Sequence, residues 1–131
     1  TGIIIYDAYR PWFITKMFWE GTPENLKHFV ANPENGSSHN KGCAIDIGLY
    51  DIETGKSIDM ISGYDEFTER AYPNYMGGSK KQRDMRDMLI RIMEKNDFTV
   101  YEYEWWHFNY NKCESGVMNY SFSELDSLNS I

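Results

Sequence analysis

Tyr101-Glu102-Tyr103-Glu104-Trp105-Trp106-His107-Phe108 reads as a strand that cannot be an ordinary one. Its aromatic residues suit a pleated, half-buried surface, yet Glu104 and His107 sit among neighbours that would have no reason to enclose them. A second stretch has the same conflict. Ser37-Ser38-His39-Asn40-Lys41-Gly42-Cys43-Ala44-Ile45-Asp46 passes from a polar loop into the strand-like run Ala44 to Tyr50, carrying His39 and Asp46 with it. Alternation in that run puts Ala44 and Asp46 on one face and Ile45, Ile47 and Leu49 on the other. Asp46 therefore faces away from the aliphatic core.

His39, Asp46 and His107 together offer two imidazole nitrogens and a carboxylate oxygen, a set that suits Zn²⁺ at bond lengths of about 2.0–2.2 Å. Three protein ligands leave a fourth position open, the catalytic pattern rather than the structural one. Glu104, three residues before His107, is then a free carboxylate placed to take a proton from water. The chain has three histidines, His28, His39 and His107. His-x6-Asp followed by a distant Glu-x-x-His is less specific than a paired Cys-x-x-Cys signature, so spacing alone leaves satisfied structural histidines as an equal reading. Geometry adds a condition. Glu104 and His107 are an odd number of residues apart and point to opposite faces of a regular strand. If both serve one site, the backbone bulges or turns near Trp105-Trp106.

The totals bound the rest. At 131 residues, 41% hydrophobic and 16% aromatic, the chain is expected to form one globular domain, 1–131. No apolar run approaches the roughly 20 residues of a membrane-spanning helix. A net charge of −7 argues against nucleic-acid or anionic-membrane partners, which call for a basic face. Cys43 and Cys113 form no Cys-x-x-Cys pair, and Cys43 reads as a small buried residue; a disulfide between them is conceivable but nothing in the sequence supports it.

In chain order, Thr1 to Tyr6 is expected to be a strand ending before the Arg10-Pro11 break. Thr22-Pro23-Glu24 reads as an N-cap and first turn of a short helix with Leu26, Phe29 and Val30 on its apolar face. Asn32 to Gly36 is a turn-rich loop. Ala44–Tyr50 and Ser57–Met60 suggest a hairpin, and Ser62 to Gly78 a long loop of the functional kind. Ser79 and Gln82 form a capping-box pattern for a helix from Lys80 to about Lys95, with Met85, Met88, Leu89, Ile92 and Met93 on one face. Lys81, Arg83, Arg86 and Arg91 read as its solvated side. Phe98 to Tyr110 is expected to be the last strong strand. The tail, Ser115 to Ile131, shows a short helical turn near Glu124-Leu125-Asp126 and no chemistry. The order predicts an α+β domain with a small, mostly antiparallel sheet flanked by helices, and a site on the sheet face opposite the main helix.

The Ser37–Asp46 block, Glu104-Trp105-Trp106-His107-Phe108 and Tyr6-Asp7-Ala8-Tyr9-Arg10-Pro11 closely resemble, in order and spacing, the zinc D-alanyl-D-alanine dipeptidases, the VanX-like family. The resemblance runs from about Ile5 to Tyr110. It implies one Zn²⁺ per chain on His39, Asp46 and His107, Glu104 as general base, and Arg10 as the group that stabilises the oxyanion. It implies that Ser37 and Asp65 help hold a small dipeptide substrate, Asp65 through the ammonium group. It also implies a bacterial, soluble protein of the cytoplasm, with the periplasm as the alternative, and a chain that lacks the family's usual N-terminal segment. Two rival expectations are a D,D- or L,D-carboxypeptidase acting on wall peptides and a non-catalytic zinc-binding module. A third is a structural site closed by Cys43. Oligomeric state is not legible.

Overall fold

Four strands make one antiparallel sheet in the computed structural model, which describes residues 1–130; Ile131, the last residue of the expected tail, lies outside the described residues. The strands are β1 (Gly2–Asp7), β2 (Ala44–Tyr50), β3 (Phe98–Tyr101) and β4 (Glu104–Tyr110), in the order β1-β2-β4-β3. Helices α1 (Trp12–Gly21), α2 (Lys80–Glu94) and α3 (Phe122–Asn129) complete an α+β fold.

The core forms where the sequence alternation sends it. Ile47 and Leu49 of β2 and Trp106 and Phe108 of β4 pack with Leu89 and Met93 of α2, each of these side chains contributing about 1.5–3 kcal/mol by leaving water. The α2 capping box forms as expected: Ser79 Oγ accepts from Gln82 N at 3.1 Å and Gln82 Oε1 from Ser79 N at 2.8 Å. Asp46 alternates with Ile47, and His107 with Phe108, so both stand on the face opposite α2.

Several expectations need correction. Helix α1 has no counterpart in the sequence reading. It is apolar nearly all round, with Phe13, Met17 and Phe18 exposed, and its cap is remote: Asn119 Oδ1 accepts from Phe13 N at 2.9 Å. The helix expected after Thr22 is a 3-10 helix, Glu24–Phe29, preceded by Pro23; Thr22 instead turns its hydroxyl back to donate to Phe18 O and closes α1. Ser57–Met60 is no strand. Only Ser57 bridges Tyr50, and Ile58 N donates to Leu49 O, beyond the end of the β2–β4 ladder at Asp46. Phe98–Tyr110 is two strands, β3 and β4, turned at Glu102-Tyr103. Arg86 is not solvated. It shares the α2 stripe of Leu89 and Met93, is 3% exposed, and donates from Nη1 to Tyr75 O at 2.6 Å, tying down the Ser62–Gly78 loop.

Cys43 and Cys113 form a disulfide, with Cα atoms 5.6 Å apart. Sequence separation hides this; the register shows it, since Ala44 pairs with Asn109 and Tyr110 N donates to Cys43 O at 2.8 Å. From Cys113 the chain runs back as a strap. Met118 N donates to Asn40 O, Trp12 N to Met118 O, and Tyr9 Oη to Tyr120 O, at 2.9–3.1 Å. The bridge closes a loop of 70 residues. Replacing both cysteines by serine is expected to lower the unfolding free energy by about 2–4 kcal/mol, measured by urea denaturation; an unchanged midpoint with unchanged slope would show that the bridge carries no stability.

Candidate metal centre

His39 lies in a 3-10 helix, Ser38–Lys41, which β-like backbone could not have supplied. Ser37 caps it, its Oγ accepting from His39 N at 3.2 Å, while Asn40 Oδ1 accepts from Ser37 N at 2.8 Å; Gly42, at φ 65°, takes the left-handed turn that leads into β2. Asp46 and His107 are cross-strand partners, the last pair of the β2–β4 ladder. The three side chains meet. His39 Nε2 is 3.2 Å from Asp46 Oδ1, His107 Nδ1 is 3.1 Å from the same oxygen, and the two nitrogens are 3.1 Å apart.

The outer hydrogen bonds determine what those atoms present. Ala8 O can only accept, so His39 Nδ1, 2.7 Å away, carries the proton; His107 Nε2 donates to Asn109 Oδ1 at 3.0 Å. Both nitrogens that face Asp46 are then lone-pair donors, and buried Asp46 Oδ1 has no hydrogen-bond partner. Three lone pairs converge with no proton among them, which a cation would satisfy. The edges also fit: tetrahedral bonds of about 2.0 Å have ligand atoms about 3.3 Å apart.

Glu104 reaches the same place by a register slip. β3 pairs Val100 with Phe108 and then Tyr101 with Glu104, so one step on β3 spans four residues on β4, and the alternation breaks across Trp105-Trp106. Glu104 Oε2 thereby lies 3.7 Å from His107 Nδ1. Burial, reinforced by the Asp46 and Asp65 carboxylates and only partly offset by His107 and Arg10, pushes the Glu104 carboxyl up to about 8.

Arg10, Ser37 and Asp65 line the same cleft, of about 500 Å³, whose far wall includes Phe18, Phe29 and Phe67. Arg10 is held by three groups: Nη1 donates to Asp7 Oδ2 at 3.0 Å, Nε to Thr15 Oγ1 at 3.3 Å and Nη2 to Ser37 Oγ at 3.5 Å. Ser37 Oγ thus accepts from both the helix cap and Arg10, while its O–H remains a donor beside the cleft. Asp65 stands on the exposed rim at φ 57°, a left-handed conformation that aspartate tolerates better than most residues. Sequence reading missed Asp7, Asn40, Asn109 and Tyr64 as parts of the site. Asn40 is fully buried and donates to both Arg10 O and Thr15 Oγ1 at 2.8 Å, and Tyr64 donates to Asp46 Oδ2 at 3.1 Å. Asp7 lies three residues before Arg10, a spacing that could have suggested the pair, Asn40 three residues after Ser37, the spacing of a capping box, and Asn109 two residues after His107 on the same strand face; Tyr64 carries no local signal. Cys43, locked in its disulfide, offers no thiolate to close the centre, so the expectation of a four-ligand site with Cys43 is overturned.

A ligand triangle beside a buried free carboxyl is the arrangement expected of metal-dependent hydrolases as a class. Comparison with known sequences narrows that class. The chain belongs to the D-ala-D-ala dipeptidase family, whose model matches residues 1–126. It is 35% identical over 113 residues to the D-alanyl-D-alanine dipeptidase of Escherichia coli (strain K12), covering 86% of this chain and 57% of that protein. It is 31% identical over 126 residues to the D-alanyl-D-alanine dipeptidase of Enterococcus faecalis (strain ATCC 700802 / V583), and 33% identical over 126 residues to that of Enterococcus faecium; each alignment covers 82% of this chain and 61% of the relative. The chain therefore spans about three-fifths of the length of the curated relatives it matches. No helix among the described residues is long and apolar enough to cross a membrane.

Proposed function

We propose that this chain hydrolyses D-alanyl-D-alanine or a related short D,D-dipeptide with one zinc ion held by His39, Asp46 and His107. The observation that carries the reading is the proton-free triangle of His39 Nε2, Asp46 Oδ1 and His107 Nδ1 at 3.1–3.2 Å, in a chain of this family. When bound, zinc supplies Lewis-acid polarisation of the scissile carbonyl and acidifies nearby water. The protein's own groups do the rest. Glu104 takes a proton as water adds to the carbonyl carbon and returns it to the amine nitrogen as the C–N bond breaks. Arg10 faces the oxygen on which negative charge develops, prearranged by Asp7, Thr15 and Ser37. Asp65, at the rim, meets the substrate ammonium, and Ser37, whose oxygen holds Arg10 and the His39 helix, helps hold the dipeptide.

The test is D-alanine release from D-Ala-D-Ala by the purified protein, stripped of metal and then reloaded with zinc, alongside a longer wall peptide ending in the same pair. Release from the dipeptide alone, lost on stripping and restored by zinc, is the expected result. Cleavage of the longer peptide would move the assignment to a carboxypeptidase, and zinc uptake without cleavage of either would leave a binding module.

A further inference from the structure

Asp46 offers one oxygen to the ligand triangle, and its other oxygen is already engaged, because Tyr64 donates its hydroxyl to Asp46 Oδ2 at 3.1 Å. The tyrosine is itself held on two sides. Its ring stacks on Tyr6, with centroids 4.4 Å apart and planes 22° apart, and meets Trp106 edge to face at 5.6 Å. Tyr6 in turn rests on Gly48. A Cβ added there would lie 2.8 Å from the Tyr6 ring and closer still to its Oη, inside any real contact distance. Gly48 has no positive φ, so space rather than backbone conformation accounts for the glycine. It follows Asp46 by two residues, on the same face of β2. One strand thus carries both the candidate ligand and the seat of the group that fixes it.

We propose that Tyr64 is a positioning residue that keeps Asp46 a one-oxygen ligand, with Tyr6 on the Gly48 seat holding the tyrosine in place; this rests on the metal-centre reading above. With Oδ2 bound to an O–H donor, the carboxylate cannot turn about its Cβ–Cγ bond without breaking that bond, and Oδ1 stays between the two imidazoles. Without the hydroxyl, Oδ2 is a free anionic oxygen beside a cation site and is drawn toward it. The ligand count would then rise at the expense of the position that water or substrate needs.

The test is Tyr64→Phe, which keeps the ring and both aromatic contacts and removes only Oη. Zinc affinity is read by competition with a chromophoric chelator, and the coordination of cobalt(II), substituted for zinc, by its visible absorption. Wild-type protein is expected to bind one ion. Tyr64→Phe is expected to keep the wild-type circular dichroism, to bind zinc at least as tightly, because the freed carboxylate oxygen adds a bond, and to show weaker cobalt bands as coordination rises. A Tyr64→Phe protein with an unchanged cobalt spectrum overturns the positioning role while leaving the metal centre intact. Wild-type protein that binds no metal overturns the centre and this inference with it.

Discussion

Glu104→Gln is expected to take up zinc like the wild type and to release D-alanine roughly 10²–10⁴-fold more slowly. Glutamine has the same volume and keeps one carbonyl oxygen, so the buried side chain still fills its place beside His107, but it can neither accept nor return a proton. Glu104 lies outside the ligand triangle, which predicts the separation of binding from turnover: its nearest oxygen is 3.7 Å from His107 Nδ1, against 3.1 Å for Asp46. Metal content and rate measured on the same preparation check it. Turnover within a few-fold of wild type would remove Glu104 from the proton path.

The same substitution has a second signature in metal-stripped protein. Folding moves the Glu104 carboxyl from an ordinary 4.5 up to about 8, mainly by burial. The folded state then holds a proton that the unfolded state has released, and wild-type stability falls as pH rises through that interval. Glutamine carries no such penalty. Stripped Glu104→Gln should therefore melt higher than stripped wild type at pH 8, with the difference vanishing near pH 4; equal melting temperatures at both would show that Glu104 is not buried as described.

Arg10→Ala carries the other large effect, a loss of roughly 10²–10³ in turnover with metal content unchanged. The guanidinium is fixed by Asp7, Thr15 and Ser37 before any substrate arrives, so its charge can meet a developing oxyanion with no reorganisation. Arg10→Lys should recover little, since a single ammonium cannot satisfy three separate acceptors while also facing the cleft. Full activity in Arg10→Ala would take the arginine out of the reaction.

What the sequence disclosed followed local rules. The alternation Ala44 to Leu49 separates Asp46 from Ile47, Ser79 and Gln82 mark the start of α2, and the odd spacing of Glu104 and His107 called for the break that β4 contains. What it withheld depends on distant partners. Helix α1 has its cap on Asn119, Arg86 is buried because a carbonyl from the Ser62–Gly78 loop comes to it, and Tyr64 gains its meaning from Asp46 only when that loop folds across the sheet. No window of neighbouring residues contains those pairs. The disulfide is of the same kind, invisible until strand register brings Cys43 beside Cys113.

The strap beyond Cys113 sets an order of assembly. The β3–β4 hairpin needs only near neighbours and can form early. The helix that carries His39 leans on Met118 through Asn40 O, and the start of α1, which positions Thr15 against Arg10, leans on Asn119 across 106 residues. Contacts of that span are gained only after the distant segment exists and has returned, so they close last. Asp46 and His107, carried by neighbouring strands, can therefore meet before the His39 helix is buttressed, and competence for metal would arrive late in folding rather than as a seed for it.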